Sequence, residues 1–153
     1  MTENITTKFR KLIQDSKLLL IPGGFSPLGA RMAEEVGFEA FFLAGSQSSA
    51  FLYALPDIGL MGRKEMTEAA KNITAVSDIA VFVDCDTGYG NAVNTYHAVQ
   101  GYVRAGAAGL HIEDQEFPKL SGTGAGRRCI PVEEAIGKYQ AAVAAKNEID
   151  PDF

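Results

Sequence analysis

The sequence predicts an α/β fold built on a parallel β-sheet. Four short apolar runs recur along the chain, and a segment with helical spacing of apolar residues follows each of them. Continuous apolar runs, as opposed to alternating ones, indicate strands that are buried on both faces, which is typical of parallel sheets. Strands that alternate with helices in this way indicate the α/β class.

Turn-forming or acidic residues end each of the four predicted strands. The strands are predicted over residues 18–21, 40–43, 79–83 and 109–112. Proline and glycine stop the first strand and Gly45 follows the second, whereas acidic residues follow the third and fourth. Ligands of such folds bind at the carboxyl ends of the strands, so these residues are the first candidates for a functional site.

Helices are predicted before the first strand and between or after the strands. Four of them are predicted over residues 6–15, 27–36, 63–76 and 132–146. A further helix, between 63–76 and 132–146, is predicted to begin after Asn94 as its cap and to end before Gly106. The second begins with a capping hydroxyl, Ser26, and with Pro27 at its first helical position. In the last helix, Ile136, Tyr139 and Val143 are spaced as an apolar face.

Length and composition are those of one globular domain, which we expect to span residues 1–153. The chain is 46% hydrophobic and 22% charged, which excludes a disordered tail, a collagen-like fibre and a disulfide-stapled miniprotein. Its net charge of -5 and its lack of a long apolar segment argue against nucleic-acid and membrane partners. Cys85 and Cys129 form no disulfide framework and the N-terminus has no secretory signal pattern, so we expect a cytoplasmic protein.

Three acidic residues follow the third and fourth strands. Asp84 and Asp86 lie two residues apart, so both carboxylates point to one side of an extended strand, and Glu113 ends the next strand. Like charges this close repel each other, and Mg²⁺ or Mn²⁺ would relieve that repulsion with carboxylate and water ligands. A single acid at such a turn more often caps a helix, but the set of three favours a metal site.

Further candidates surround these acids. His111 shares strand parity with Glu113, although a lone histidine on a strand is more often a core residue. Cys85 should face away from the aspartates and pack. Lys119 precedes a segment with three glycines in five residues, which is either a loop that closes over a substrate or a plain connector.

Two consecutive motifs resemble those of one enzyme superfamily. Residues 83–91, VDCDTGYGN, resemble the metal-binding motif of the isocitrate lyase and phosphoenolpyruvate mutase superfamily. Residues 107–115, AAGLHIEDQ, resemble its next strand, in a form closest to the methylisocitrate lyase-like branch. The resemblance implies a (β/α)₈ barrel of the TIM type, of which this chain would hold the first four strand–helix units.

The same resemblance implies Mg²⁺-dependent chemistry on small 2-hydroxy or 2-oxo acids. It makes Asp84, Asp86 and Glu113 the metal ligands, with Asp57 near the metal. The implied catalytic residues are Lys119 and Ser121. The implied substrate-binding residues are Gly45, Ser46, His111, Gly122 and Thr123.

The loop departs from the pattern of the lyases. Ser121 stands where their cysteine exchanges a proton with carbon, and Thr123 where they carry histidine. A serine hydroxyl is a weaker acid–base group than a thiol. Ala44 and Phe42 replace a common serine and tyrosine. Three functions stay open: a methylisocitrate lyase-like C–C lyase, a P–C mutase or hydrolase acting on phosphonopyruvate or carboxyphosphonoenolpyruvate, and a non-catalytic binding or assembly fragment.

Length bears on the same question. A barrel of this type takes about 250 residues, so we expect a truncated product of a longer gene more than a half barrel that another chain completes. Relatives of this kind form oligomers, usually tetramers, and the open sheet edges of a half barrel favour association. The expected partners are therefore further copies of the chain and a small carboxylic acid substrate.

Overall fold

The computed structural model of the chain describes residues 3–120 and 126–153. Within them, one parallel sheet has four strands in the order β1-β2-β3-β4, as the α/β prediction requires. The strands are β1 (Gly23–Gly24), β2 (Ala40–Leu43), β3 (Ala80–Asp84) and β4 (Gly109–His111). The predicted fold class is confirmed at this level.

Six helices surround the sheet in the described residues. They are α1 (Ile5–Gln14), α2 (Pro27–Glu35), α3 (Gly45–Tyr53), α4 (Arg63–Thr74), α5 (Ala92–Arg104) and α6 (Val132–Ile149). The predicted cap of α2 is confirmed, because the Ser26 hydroxyl accepts a hydrogen bond from the Gly29 N–H at 3.2 Å. None of these helices is both long enough and apolar enough to cross a lipid bilayer.

The first strand lies elsewhere than predicted. Residues 18–21 form no strand, and Leu18 and Leu20 are 86% and 62% exposed. Leu19 and Ile21 of this apolar run instead pack against the cluster around Phe9. Backbone pairing with β2 begins only at Pro22, whose carbonyl accepts the Phe42 N–H at 2.9 Å, so the strand is β1.

Two helix predictions also need correction. Asn91, and not Asn94, caps α5: its side chain accepts the Val93 N–H at 2.9 Å, while Asn94 accepts the Asn91 N–H in return. In α6, the expected apolar face of Ile136, Tyr139 and Val143 is 48%, 40% and 50% exposed. The residues that α6 buries are Ala135, Lys138 and Ala145: α6 packs along α5, and Lys138 reaches the Thr87 carbonyl after β3.

The two faces of the sheet have different surroundings. The packed face consists of Phe41, Leu43, Val81, Val83 and Leu110, which join a core with residues of α2, α4 and α5. The site face consists of Ala40, Phe42, Ala80, Phe82, Asp84 and His111, which the strand register places in neighbouring rows. Helix α1 covers the start of the site face, where Phe9 and Phe82 have ring centroids 5.6 Å apart. The other end of the site face carries the polar residues.

Candidate active site

The candidate site lies at the carboxyl ends of β2, β3 and β4. Asp84 is the last residue of β3 and pairs in register with His111, the last residue of β4. Two backbone hydrogen bonds continue beyond the strands, from the Cys85 N–H to the His111 carbonyl at 3.1 Å and from the Glu113 N–H to the Asp86 carbonyl at 2.8 Å. The acids after β3 and β4 are thus tied together through the main chain.

Asp84 is the most extensively hydrogen-bonded of these acids. Its Oδ1 accepts the Asp86 N–H at 2.8 Å and lies 3.2 Å from His111 Nε2, while its Oδ2 accepts the Gly45 N–H at 3.1 Å. Burial raises the pKa of Asp84, but the hydrogen bonds from His111 and from the Asp86 N–H outweigh burial and lower it. A Cβ on Gly45 would lie 2.7 Å from Oδ2, so glycine permits this contact.

His111 stands between this carboxylate and two aromatic rings. The hydrogen bond to Asp84 raises the pKa of His111 above its ordinary value, even though partial burial opposes the imidazolium form. Its ring centroid lies 5.4 Å from that of Phe42 and 5.6 Å from that of Phe82. His111 therefore belongs to the site and to the aromatic packing of the site face at once.

Lys119 connects three acids from three segments of the chain. Its Nζ lies 2.8 Å from Asp57 Oδ1, 3.4 Å from Asp86 Oδ2 and 3.7 Å from Glu113 Oε2. Burial disfavours its charge, but the hydrogen bond to Asp57 and the charges of Asp86 and Glu113 outweigh burial and raise the pKa of Lys119. With a side chain only 5% exposed, Lys119 is a buried cation that the surrounding acids stabilise.

The turn after β3 has an unusual backbone. Asp86, Gly88 and Tyr89 all have positive φ, at 51°, 85° and 59°. The Thr87 N–H donates to Asp86 Oδ1 at 2.7 Å, and the Gly88 N–H donates to the Cys85 carbonyl at 3.0 Å. Burial raises the pKa of Asp86, and the nearby Lys119 only partly offsets this.

The residue types and the space suit a small divalent cation. A cavity of about 10 Å³, lined among others by Asp57, Asp84 and Asp86, has room for one ion-sized particle. Across residues 3–120 and 126–153, no group of three His, Cys, Asp or Glu side chains lies close enough together to hold a metal ion in this arrangement. The reason is visible in the pairing: Lys119 holds Asp86 and Glu113, and His111 holds Asp84. Hard oxygen donors such as these carboxylates are the ligands that Mg²⁺ and Mn²⁺ take.

Most of the predicted site residues come together here. Those within the cluster are Gly45, Asp57, Asp84, Asp86, His111, Glu113 and Lys119. Ser46 is exposed in the first turn of α3, where a helix leaves its amides without intrahelical partners. Ser121, Gly122 and Thr123 lie outside the described residues. Cys85 faces the packed core as expected, and burial raises the pKa of its thiol.

Two groups of residues beneath the site escaped the sequence analysis. The Tyr102 hydroxyl donates to the Asp84 carbonyl at 3.2 Å and lies 2.6 Å from the Tyr89 hydroxyl. Lys138 of α6 donates to the Thr87 carbonyl at 3.2 Å. A signal for Lys138 exists in the sequence, because it shares a helical face with Ala135 and Ala145, the small residues that mark close helix packing. No local pattern marks the tyrosine pair.

A parallel sheet with acids and a buried lysine at the carboxyl ends of its strands belongs to the class of α/β folds that bind ligands at this edge. The model of the phosphoenolpyruvate phosphomutase family matches residues 9–153. The chain belongs to this family, and its predicted place in the isocitrate lyase and phosphoenolpyruvate mutase superfamily is confirmed.

Individual relatives agree with this assignment. A 2-methylisocitrate lyase of Aeropyrum pernix is 40% identical over 139 residues, which are 91% of this chain and 45% of the relative. A solved structure of oxaloacetate acetylhydrolase matches with a TM-score of 0.92 at 31% identity, over 98% of this chain and 52% of that one. A phosphonopyruvate hydrolase solved with oxalate and Mg²⁺ matches with a TM-score of 0.87 at 33% identity, over 99% of this chain and 50% of that one.

The solved relatives confirm the barrel type of the fold. They are TIM-barrel members of the superfamily, and the four strand–helix units of this chain superpose on part of each. The chain spans about half the length of the curated relatives it matches. Those relatives include lyases that share this part of the fold.

Proposed function

We propose that the chain provides the metal-binding part of an Mg²⁺-dependent lyase. The enzyme would cleave or form a C–C bond in a small 2-hydroxy or 2-oxo dicarboxylic acid, as a methylisocitrate lyase does. The observation that carries this proposal is the cluster in which Lys119 and His111 neutralise acids at the ends of β3 and β4 and in the turn between α3 and α4. The family membership and the 2-methylisocitrate lyase relative support it.

Each residue has a distinct role in this proposal. Asp84, Asp86 and Glu113 would hold Mg²⁺ or Mn²⁺, which when bound supplies positive charge to a substrate carboxylate and its neighbouring oxygen. Asp57 would keep Lys119 charged and oriented, since their atoms lie 2.8 Å apart. The acids would thus be positioned before any substrate arrives.

Substrate binding would fall to groups on the open side of the cluster. The Ser46 N–H in the first turn of α3 and a protonated His111 would attract a carboxylate, because both present positive charge. Gly45 would contribute indirectly, since its N–H already donates to Asp84. Gly122 and Thr123 complete the proposed substrate contacts, and Lys119 with Ser121 would transfer the proton that C–C chemistry requires.

Product formation tests the proposal. The 153-residue chain is incubated with Mg²⁺ and a panel of 2-hydroxy and 2-oxo diacids, and keto products are followed by mass spectrometry. Turnover by the unmodified chain, lost in Asp84→Asn and retained in Asp78→Asn, is the expected result. Asp78 is an exposed acid just before the amino end of the same strand, so it controls for charge. No product from any acid, with Mg²⁺ bound, would favour a binding or assembly module without turnover.

P–C chemistry on phosphonopyruvate or carboxyphosphonoenolpyruvate is the second candidate. The similarity to a phosphonopyruvate hydrolase supports it, and so does the basic pair Arg127 and Arg128 beyond the fourth strand. Arg128 is engaged by Glu116 at 3.0 Å, which leaves Arg127 as the candidate for a phosphonate contact. ³¹P NMR of a phosphonopyruvate incubation separates the two chemistries, because only P–C cleavage or rearrangement moves the phosphorus resonance.

We also propose that the chain acts in the cytoplasm and associates with further copies of itself. In the described residues, β1 and β4 are edge strands, and exposed apolar side chains flank the sheet at both sides, including Leu28 and Met32 of α2 and Ile136 of α6. Light scattering after size-exclusion chromatography tests this, and a monomer at micromolar concentration would contradict it.

A further inference from the structure

Lys138 is a buried lysine outside the candidate site. It lies on α6, is 4% exposed, and donates from Nζ to the Thr87 carbonyl at 3.2 Å. Its charged neighbour is Glu134, whose Oε1 lies 3.7 Å from Nζ. Lysine is almost never fully buried unless its charge is compensated, so this position requires an explanation beyond helix packing.

The carbonyl that Lys138 binds belongs to the strained turn after β3. The peptide of Thr87 lies between Asp86 and Gly88, two of the residues with positive φ. A non-glycine residue in this region, such as Asp86, persists only when its surroundings hold it there. The Thr87 side chain offers no such hold, since its buried Oγ1 has no hydrogen-bond partner among the described residues.

Lys138 restrains this turn through the Thr87 carbonyl. The Tyr102 hydroxyl binds the carbonyl of Asp84 at the start of the turn, and Lys138 binds the carbonyl of Thr87 at its middle. A hydrogen bond from an ammonium is stronger than one from a neutral donor, so a charged group restrains this peptide more firmly than a tyrosine would. Two side chains from α5 and α6 therefore restrain the segment that carries Asp86.

We propose that Lys138 is a positioning residue of the site. Its ammonium fixes the peptide between Thr87 and Gly88 and, through this restraint of the turn, directs the Asp86 carboxylate toward Lys119 and the small cavity. The role of that carboxylate as a metal ligand rests on the proposed function, whereas the restraint of the turn does not. A lysine that merely fastens α6 to the sheet would stabilise the whole domain without a specific effect on this turn.

Hydrogen exchange at the turn distinguishes the two roles. Lys138→Met keeps the length of the side chain and removes its charge; we expect the Gly88 amide to exchange faster by on the order of tenfold or more. Core amides of β2 should keep their rates. Lys138→Arg should restore protection, because it keeps a charged donor. Lys146→Met is the matched control, because Lys146 also lies on α6 and donates to a backbone carbonyl, that of Pro151, away from the site.

The results decide the proposal in either direction. Unchanged Gly88 exchange in Lys138→Met, or a uniform increase over the whole domain, would overturn it. If circular dichroism shows that Lys138→Met does not fold, Lys138→Gln takes its place, with faster Gly88 exchange expected and unchanged exchange again contradictory.

A Mn²⁺ titration by calorimetry adds the link to the metal. Residues that orient metal ligands typically change affinity by roughly 10–100-fold when replaced, and we expect a loss of this size in Lys138→Met and none in Lys146→Met. Equal affinity in both variants would limit Lys138 to the turn and overturn its role for the metal. If the unmodified chain binds no Mn²⁺, the proposed function fails, while the exchange data still decide the role of Lys138.

Discussion

The two faces of the sheet are made by the same strands but perform different tasks. Along β3, Val81 and Val83 are fully buried on the packed face, whereas Phe82 and Asp84 on the site face remain partly accessible. The packed face gains stability from apolar area removed from water. The site face holds charges whose desolvation is offset by pairing, as at Asp84 and His111. Neighbouring residues of one strand therefore serve different purposes: every second side chain stabilises the core, and those between them face the candidate site.

The largest expected effect is a loss of stability on the packed face. Leu43→Ala removes a fully buried side chain from the core and should lower the free energy of unfolding by about 2–5 kcal/mol. The control is Leu28→Ala, because Leu28 is 69% exposed on α2 and its loss should cost less than about 0.5 kcal/mol. Urea unfolding followed by circular dichroism measures both, and equal losses would contradict the assignment of the packed face.

The second effect concerns the site face and should leave the core intact. Asp84→Asn removes the carboxylate charge that three hydrogen bonds orient. Mn²⁺ affinity should therefore fall by about 100-fold or more, which exceeds the usual effect of replacing a residue that only orients a metal ligand. Asp78→Asn should bind Mn²⁺ like the unmodified chain. Calorimetric titration gives the affinities. A variant at Asp84 that keeps its affinity would place the metal ligands elsewhere.

The third test inserts one carbon atom between the start of α3 and Asp84 of the site face. In Gly45→Ala the new Cβ would meet Asp84 Oδ2 at 2.7 Å, so we expect a loss of about 1–3 kcal/mol from overpacking, together with weaker Mn²⁺ binding. Gly137→Ala on α6 meets nothing within 4 Å and should instead stabilise the chain by about 0.5–1 kcal/mol. Thermal unfolding with and without Mn²⁺ measures both, and opposite signs are the expected outcome.

The smallest expected effect involves no substitution. It concerns only the solvent accessibility of the two cysteines. Cys85 is fully buried on the packed side and Cys129 is exposed. A thiol reagent such as DTNB should therefore modify one cysteine per folded chain and two in denaturant. Mass spectrometry identifies the site, which we expect to be Cys129. Rapid labelling of Cys85 in the folded chain would show that the packed face opens.

Local sequence signals predict the structure correctly where they agree with the tertiary contacts. Strand β2, the Ser26 cap and the acids that follow the third and fourth apolar runs follow from apolar runs and capping chemistry. Two-residue parity did not hold for Asp84 and Asp86, because β3 ends at Asp84 and Asp86 has a positive φ of 51°. The strand prediction failed at residues 18–21 because an apolar run indicates burial but does not specify backbone pairing. Helix α3 was missed because its serine-rich sequence has no apolar period and its place after β2 depends on tertiary contacts.

The site was predicted in its composition more than in its arrangement. The superfamily motifs identified Asp84, Asp86 and Glu113, but not that Lys119 reaches three acids, since that depends on the path of a long connection. On α6 the buried face was misassigned because it depends on packing against α5 and on the contact of Lys138 with the turn after β3, and the sequence alone names neither neighbour.

The backbone bonds that tie β3 to β4 beyond the strand ends have an evolutionary consequence. Main-chain atoms of Cys85, Asp86, His111 and Glu113 make these bonds, so the bonds do not depend on which side chains stand at these four positions. Relatives named for lyase and hydrolase reactions match this same part of the chain. A scaffold of this kind can be inherited as one unit while selection diversifies the surrounding loops, so new reactions need not reinvent the acidic framework.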